Sequence, residues 1–154
     1  MANTRQVGVC VFFFCFLSPT LFKGQSDTSI ASLFSRARLP LGSDFPVERV
    51  NPFAGLYAAI TRQDQNGLPV DGWYPEECLT IDQAVRGFTI EAAYAAFQDH
   101  EIGSISLGKW ADFIIVDRDV YTVRPEDVLS TKVLATYLGG KLVYGTDFSK
   151  KSSQ

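Results

Sequence analysis

The sequence predicts an α/β fold, and three observations support this prediction. Between residues 51 and 97, apolar side chains recur every three or four positions, which is the spacing of one face of a helix. From Gly103 onward the period falls to two, which is typical of strands. Ahead of both, the apolar residues 39–41 run into Asp44 through two small residues, as in a strand that ends in one carboxylate.

Composition limits the class of protein. The chain has 154 residues, 46% of them hydrophobic, which suits one modest globular domain. Its net charge is -3 and no basic stripe occurs, so nucleic acid is not expected as a partner. The three cysteines, Cys10, Cys15 and Cys78, have no metal-ligand spacing, and a disulfide framework is not indicated. His100 is the single histidine.

Residues 1–24 are predicted to be a signal-like hydrophobic segment, followed by a polar linker at 25–31. Arg5 precedes the apolar residues 7–17, a run shorter than the roughly 20 residues of a membrane span. The segment predicts entry into the secretory pathway. Its poor cleavage site leaves open an uncleaved membrane anchor, with membrane contact through residues 7–22. A buried strand or helix is the remaining alternative.

Asp44 is the candidate catalytic residue. Pro46 restricts Phe45 to extended geometry, and Gly42 and Ser43 leave the backbone free to approach another group closely. Folds of the α/β class place catalytic groups at the C-terminal edge of their strands. An aspartate beside Gly-Ser is also a common turn former, so both interpretations are open on local grounds.

A helix is predicted to begin at Asn51-Pro52, with Asn as the cap and Pro at the first helical position. It ends near Thr61-Arg62. Its apolar face consists of Phe53, Leu56, Tyr57 and Ile60. An irregular loop follows over residues 63–74, and loops of that length are usually functional or disordered.

Two further helices are predicted. Thr80 and Gln83 form a capping box at the start of the first, and Thr89 is expected to cap the second, with Glu91 in its first turn. The predicted inward faces are Ile81, Ala84, Val85 and Phe88 in the first and Ile90, Ala93, Tyr94 and Phe97 in the second.

The remaining chain predicts strands. Residues 104–106 and 111–116 alternate as strands do, on either side of a turn at 107–109. Pro125 begins a short helical turn. Residues 132–138 and 141–144 then form a hairpin across Gly139-Gly140.

A series of motifs resembles one family. In chain order the motifs are Gly42–Glu48, Asn51-Pro52, Gly55–Arg62, Leu79-Thr80, Thr89–Phe97 and Gly103–Asp117. Together they resemble the C-terminal third of a family 3 amidohydrolase, the branch of the metal-dependent amidohydrolases that includes N-substituted formamide deformylases. The resemblance runs from about Ser32 to Tyr144, and nothing before Ser32 is expected to take part.

The resemblance implies the architecture. Residues 32–102 would be the last strand and helices of a (β/α)₈ barrel, and residues 103–146 the C-terminal strands of a small β-sandwich. Residues 147–154 are a tail. The missing neighbours of the barrel strand would leave exposed edges, which favour self-association.

It also implies the chemistry. Members hydrolyse non-peptide carbon–nitrogen bonds of small amide-like substrates with divalent metals, zinc foremost, held mainly by histidines. Asp44 matches the carboxylate that takes the proton of the metal-bound water. The other ligands should lie upstream and are absent, so Asp44 would serve a metal only if those histidines were supplied. His100 is interpreted as a solvated helix end, and no cofactor is expected for this chain alone.

Arg62, Asp64 and Trp73 border the irregular loop and are candidates for substrate contacts. The alternative is that Arg62 and Asp64 form a local ion pair. Asp112 is interpreted as structural, and Cys78 as buried and inert.

The resulting interpretation is a C-terminal fragment of a carbon–nitrogen hydrolase, inactive in isolation. The alternative is a non-catalytic remnant or truncated gene product that acts only by associating with a barrel partner. An accidental likeness in a small secreted binding domain is disfavoured by the number and order of the motifs.

Overall fold

The computed structural model describes residues 38–148. The predicted signal-like segment at 1–24 and the linker at 25–31 lie outside these residues. Within the described range, no helix combines the length and the apolar character needed to cross a membrane.

Helix α1 spans Pro52–Thr61 and follows the sequence prediction at both ends. The side chain of Asn51 accepts a 3.0 Å hydrogen bond from the Phe53 amide, which caps the first turn. Arg62 ends the helix in the left-handed conformation (φ 58°), and its amide donates to the Ala58 carbonyl at 2.8 Å.

Helix α2, Ile81–Arg86, begins with the predicted capping box. Thr80 Oγ1 accepts from the Gln83 amide at 3.2 Å, and Gln83 Oε1 accepts from the Thr80 amide at 2.9 Å. A single 3₁₀ turn, Pro75–Glu77, precedes it.

The predicted break between two helices at Thr89 is wrong. Helix α2 continues into a π-helical segment, Gly87–Glu91, and then into helix α3, Ala92–Ala95. Thr89 lies inside the π segment, where its hydroxyl donates to the Val85 carbonyl at 2.7 Å. A threonine hydroxyl can bond the carbonyl four residues back as readily as it can cap a new helix.

Two side chains predicted to face inward are exposed. Tyr94 is 46% exposed and Phe97 84% exposed, whereas Ala93, directly before Tyr94, is buried as predicted. The ring of Tyr94 lies at the surface under the guanidinium of Arg38, 3.8 Å from its centre. Phe97 follows the end of α3 with φ 59°, so it leaves the helical stripe.

The C-terminal part is a three-stranded antiparallel sheet. Strands β1, Phe113–Val116, β2, Val133–Leu138, and β3, Lys141–Gly145, lie in the order β1-β2-β3. The hairpin between β2 and β3 turns through Gly139 (φ 56°) and Gly140 (φ 75°), which confirms the predicted two-glycine turn. Helix α4, Pro125–Val128, lies between β1 and β2 in the chain, where Pro125 predicted a helical turn.

Two predicted strands do not form. Residues 104–106 and the two residues before β1 are irregular, although the turn at 107–109 is present, with Gly108 at φ 88°. Residues 39–44 are also not a strand, because no neighbouring strand in the described chain supplies backbone hydrogen bonds to them. Alternating polarity predicts a strand only where a partner strand exists.

The core joins the helices to one end of the sheet. Helix α1 packs against both α2 and α4. The buried cluster consists of Phe53, Leu56, Leu79, Ala84 and Val128. Leu41 packs against this cluster from the segment that leads to Asp44, so the core also positions the candidate site.

Candidate active site around Asp44

Asp44 occupies an unusual backbone conformation. Its φ is 51°, in the left-handed region that only a few per cent of non-glycine residues adopt. The Val47 amide donates to the Asp44 carbonyl at 2.8 Å, and the Glu48 amide donates to the same oxygen at 3.4 Å. The Asp44 backbone therefore closes a tight turn.

The carboxylate of Asp44 has no part in that turn. The residue is half-buried, and no donor within residues 38–148 bonds its side chain. A turn-forming aspartate usually accepts a backbone amide close by in the sequence, as Asp64 does here from Asn66 at 2.8 Å and from Leu68 at 3.0 Å. Among residues 38–148, nothing thus engages the Asp44 carboxylate in holding the turn.

The segment before Asp44 is fastened to the π segment. The Leu41 amide donates to the Gly87 carbonyl at 2.9 Å. A β-carbon placed on Gly87 would lie 2.7 Å from both Cγ and Cδ1 of Leu41 and 3.2 Å from the Leu39 carbonyl oxygen. Only glycine allows so close an approach, which is the reason for a glycine within this helical run.

Arg62 and Trp73 contact each other at the two ends of the irregular loop. Arg62 Nε donates to the Trp73 carbonyl at 3.0 Å, and the Trp73 amide donates to the Arg62 carbonyl at 2.9 Å. The guanidinium lies 5.0 Å from the centre of the indole, within range of a cation–π interaction. The pair presents a flat aromatic and cationic surface to solvent.

Asp64 is engaged in holding the same loop together. Hydrogen bonds from the Leu68 and Asn66 amides lower the pKa of its carboxyl below the ordinary value. Its bonds are to these loop residues, and the alternative of an ion pair with Arg62 is not found in the described chain. The geometry therefore pairs Arg62 with Trp73, and within residues 38–148 no bond or ring contact links Asp44 to any of the three.

The described residues do not fit a metal centre. Within the range that the structure covers, no three His, Cys, Asp or Glu side chains lie together as potential ligands. His100 is 71% exposed and lies 3.8 Å from Glu101 Oε1. A lone exposed histidine with one carboxylate provides too few ligands for a catalytic zinc.

Cys78 is only partly buried, whereas a buried cysteine was predicted. Desolvation raises the pKa of its thiol, which disfavours the reactive thiolate. Cys78 caps the C-terminal end of the 3₁₀ turn, where its amide donates to the Pro75 carbonyl at 3.1 Å.

Glu91 has a role that the sequence interpretation missed. Its side chain is buried, yet Oε1 accepts a 2.9 Å hydrogen bond from Arg86 Nη2 and Oε2 lies 3.6 Å from Arg38 Nε. The sequence shows only an acidic residue in what looks like a first helical turn. The sequence signal that could have indicated this role is Arg86, five residues before Glu91. Residues five apart face each other here because the turn between them is π-helical.

Comparison with known proteins relates this chain to a protein family. The sequence profile described as the amidohydrolase family matches residues 26–144. The match ends at Tyr144, where the resemblance was predicted to end, and begins six residues before Ser32, so the predicted start was too late.

Two curated relatives match most of this chain. The protein LONG AFTER FAR-RED 3 of Arabidopsis thaliana is 42% identical over 115 residues, which is 73% of this chain and 19% of the relative. The N-substituted formamide deformylase of Arthrobacter pascens is 35% identical over 107 residues, which is 70% of this chain and 19% of the relative. The chain thus spans about a fifth of the length of these relatives.

One solved structure has a similar fold. It is an amidohydrolase from Thermotoga maritima, with a TM-score of 0.55 and 20% sequence identity, covering 76% of this chain and 26% of the other. At this identity the likeness shows an α/β fold shared with part of that protein.

Proposed function

The chain belongs to the amidohydrolase family, and we propose that it forms the C-terminal part of a hydrolase that cleaves carbon–nitrogen bonds other than peptide bonds. Residues 32–102 would supply the last strand and helices of a (β/α)₈ barrel. Residues 103–146, which contain the three-stranded sheet, would supply strands of a small β-sandwich. The rest of the catalytic unit would come from additional polypeptide.

Asp44 is the proposed general base and acid. In the hydrolysis of an amide-like substrate it would take a proton from the attacking water as the new carbon–oxygen bond forms. It would then give that proton to the nitrogen as the carbon–nitrogen bond breaks. The observation that carries this role is its half-buried carboxylate, which no donor among residues 38–148 bonds, at a backbone φ of 51°.

A divalent metal is part of the proposal only for the completed unit. The described residues do not fit a metal centre, so we assign them no metal-dependent step. The histidine ligands would have to come from the additional polypeptide. Asp44 would then be the one residue of this chain close to the metal.

Arg62 and Trp73 are the proposed contacts to the substrate. Their stacked guanidinium and indole form a surface that suits a planar or aromatic substituent on the substrate nitrogen. In an active hybrid, Trp73→Ala should raise KM more than it lowers kcat. Val70→Ala, at an exposed position of the same loop, is the matched control and should leave KM and kcat unchanged. Equal effects of the two substitutions would mean that Trp73 does not contact the substrate.

A second candidate function is favoured by the exposed apolar surface of the sheet. All five residues of β3 are exposed, including Leu142, Val143 and Tyr144. An open strand edge with apolar side chains tends to pair with another chain. The alternative proposal is therefore a non-catalytic remnant that associates with a barrel partner or with itself.

We also retain the proposal that residues 1–24 direct the chain to the secretory pathway. It depends on Arg5 and on the apolar residues 7–17. A fusion of residues 1–24 to a fluorescent protein should enter the secretory pathway, and a diffuse cytosolic signal would reject the proposal.

The experiment that tests the main proposal is a hybrid protein. Residues 32–154 would be joined to the preceding part of the Arthrobacter pascens deformylase, and turnover of an N-substituted formamide would be measured with zinc present. We expect the hybrid to be active and the 154-residue chain alone to be inactive and free of bound zinc. A folded but inactive hybrid would favour the remnant, and stoichiometric zinc in the chain alone would contradict the need for additional ligands.

A further inference from the structure

Glu91 is a buried charged residue that the proposed reaction does not use. Its side chain is 7% exposed, at the end of the π segment. Arg86 Nη2 donates to Oε1 at 2.9 Å, whereas Oε2 accepts no hydrogen bond from residues 38–148 and faces Arg38 Nε at 3.6 Å. A buried carboxylate oxygen is costly unless a cation lies near it, so Glu91 favours the position of the Arg38 guanidinium beside Oε2.

Arg38 is the residue that this carboxylate holds. Its guanidinium lies 3.6 Å from Glu91, 3.8 Å from the centre of the Tyr94 ring, and 3.8 Å from Asp99 Oδ2. All three partners belong to the helical run or directly follow it. Of these, Glu91 is the buried one, so it provides the interaction least screened by water.

Arg38 directly precedes the segment 39–44, and this segment is held at a second point. Leu41, three residues further on, donates its amide to the carbonyl of Gly87. Gly87 and Glu91 are the first and last residues of the π segment. The two ends of the π segment therefore each contact the chain before Asp44: Gly87 bonds Leu41, and Glu91 pairs with Arg38.

We propose that Glu91 is a positioning residue for Asp44, acting through Arg38. The inference rests on the proposed function, because it assumes that Asp44 is the catalytic carboxylate. Residues 39–44 have no flanking strand in the described chain, so their position depends on these helix contacts. A displacement of about 1 Å at a catalytic group can cost about 10²-fold in rate.

The first test does not depend on activity. In the 154-residue chain, Glu91→Gln preserves the shape of the side chain but removes the charge that holds Arg38. Amide hydrogen exchange at Leu41 should become about tenfold faster, while exchange at Ala135 in β2 should not change. The matched control is Glu101→Gln at an exposed position, which should leave Leu41 unchanged.

Unchanged exchange at Leu41 would overturn the proposal. Equal acceleration at Leu41 and Ala135 would also overturn it, because it would mean that Glu91 only stabilises the whole fold.

The second test separates positioning from stability in the active hybrid. Glu91→Gln should lower kcat by about 10²-fold with KM nearly unchanged, and Arg38→Lys should retain more kcat than Arg38→Ala. In the Asp44→Asn background, Glu91→Gln should lower kcat no further. An additive fall would overturn the positioning role. If the hybrid proves inactive, the proposed function fails and the exchange experiment still decides whether Glu91 holds the segment.

Discussion

The amide of Leu41 bonds the carbonyl of Gly87 at 2.9 Å, and the Leu41 side chain occupies the space that a β-carbon on Gly87 would need. This contact is one of the two that hold the segment before Asp44 against the helical run, the other being that of Arg38 with Glu91. It links a residue of the predicted barrel strand to a π-helical turn that local sequence patterns did not indicate.

Gly87→Ala tests that contact. Alanine is favoured over glycine within a helix by up to about 1 kcal/mol, but overpacking a filled site costs about 1–3 kcal/mol. We expect the overpacking to dominate, because Cγ and Cδ1 of Leu41 would lie only 2.7 Å from the new carbon. Urea unfolding should show a net loss of stability.

The compensating variant is Leu41→Ala, which removes both of the clashing atoms. In the Leu41→Ala background, Gly87→Ala should leave the free energy of unfolding unchanged or raise it. The effects of the two substitutions on stability would then be strongly non-additive. Independent, additive effects would mean that the two residues do not press on each other.

Asp112 is predicted to stabilise the hairpin and to have no role in turnover. It lies directly before β1, and its Oδ1 accepts a 2.6 Å hydrogen bond from the amide of Gly139 in the turn between β2 and β3. Asp112→Ala should lower the free energy of unfolding by about 1–3 kcal/mol, whereas Asp112→Asn keeps an acceptor and should lower it less. Asp71→Ala, at an exposed loop position, is the control and should change stability by less than about 0.5 kcal/mol.

Much of the helical and hairpin structure follows from short sequence signals. Asn51 with Pro52, and Thr80 with Gln83, each cap a helix through side-chain bonds within three residues, so local sequence contains the necessary information. The Gly139-Gly140 turn is equally local, since both residues have positive φ.

The features that were missed depend on contacts distant in sequence. Nothing near Thr89 indicates that Gly87 must accept the Leu41 amide or that Glu91 must face Arg38, and these contacts accompany the π segment. The strand predicted before Asp44 requires a neighbouring strand. The half-buried carboxylate of Asp44 could be nominated from its motif, but its lack of a local donor is visible only in the structure.

Asp117 should make stability depend on pH. Hydrogen bonds from the Arg118 guanidinium and the Lys132 amide lower the pKa of Asp117 to about 2, and the latter bond joins the end of β1 to the start of β2. Because the folded-state pKa lies below the ordinary value of about 4, the stabilisation is complete above that pH and is lost as pH falls through about 2.

The measurement is the unfolding free energy of wild type and Asp117→Asn across this range. Asp117→Asn should be less stable near neutral pH, and the difference should shrink towards pH of about 2. A difference that does not vary with pH would mean that the carboxylate charge does not stabilise the junction of the two strands.

The role of Asp44 is tested most directly by kcat in the hybrid protein. Asp44→Asn is nearly isosteric but cannot accept the proton of the attacking water, so kcat should fall by about 10²–10⁴-fold while KM changes much less. Asp112→Asn, the matched control, should leave kcat near that of the unmodified hybrid. If Asp44→Asn keeps full kcat, Asp44 is a turn residue and the proposed active site is wrong.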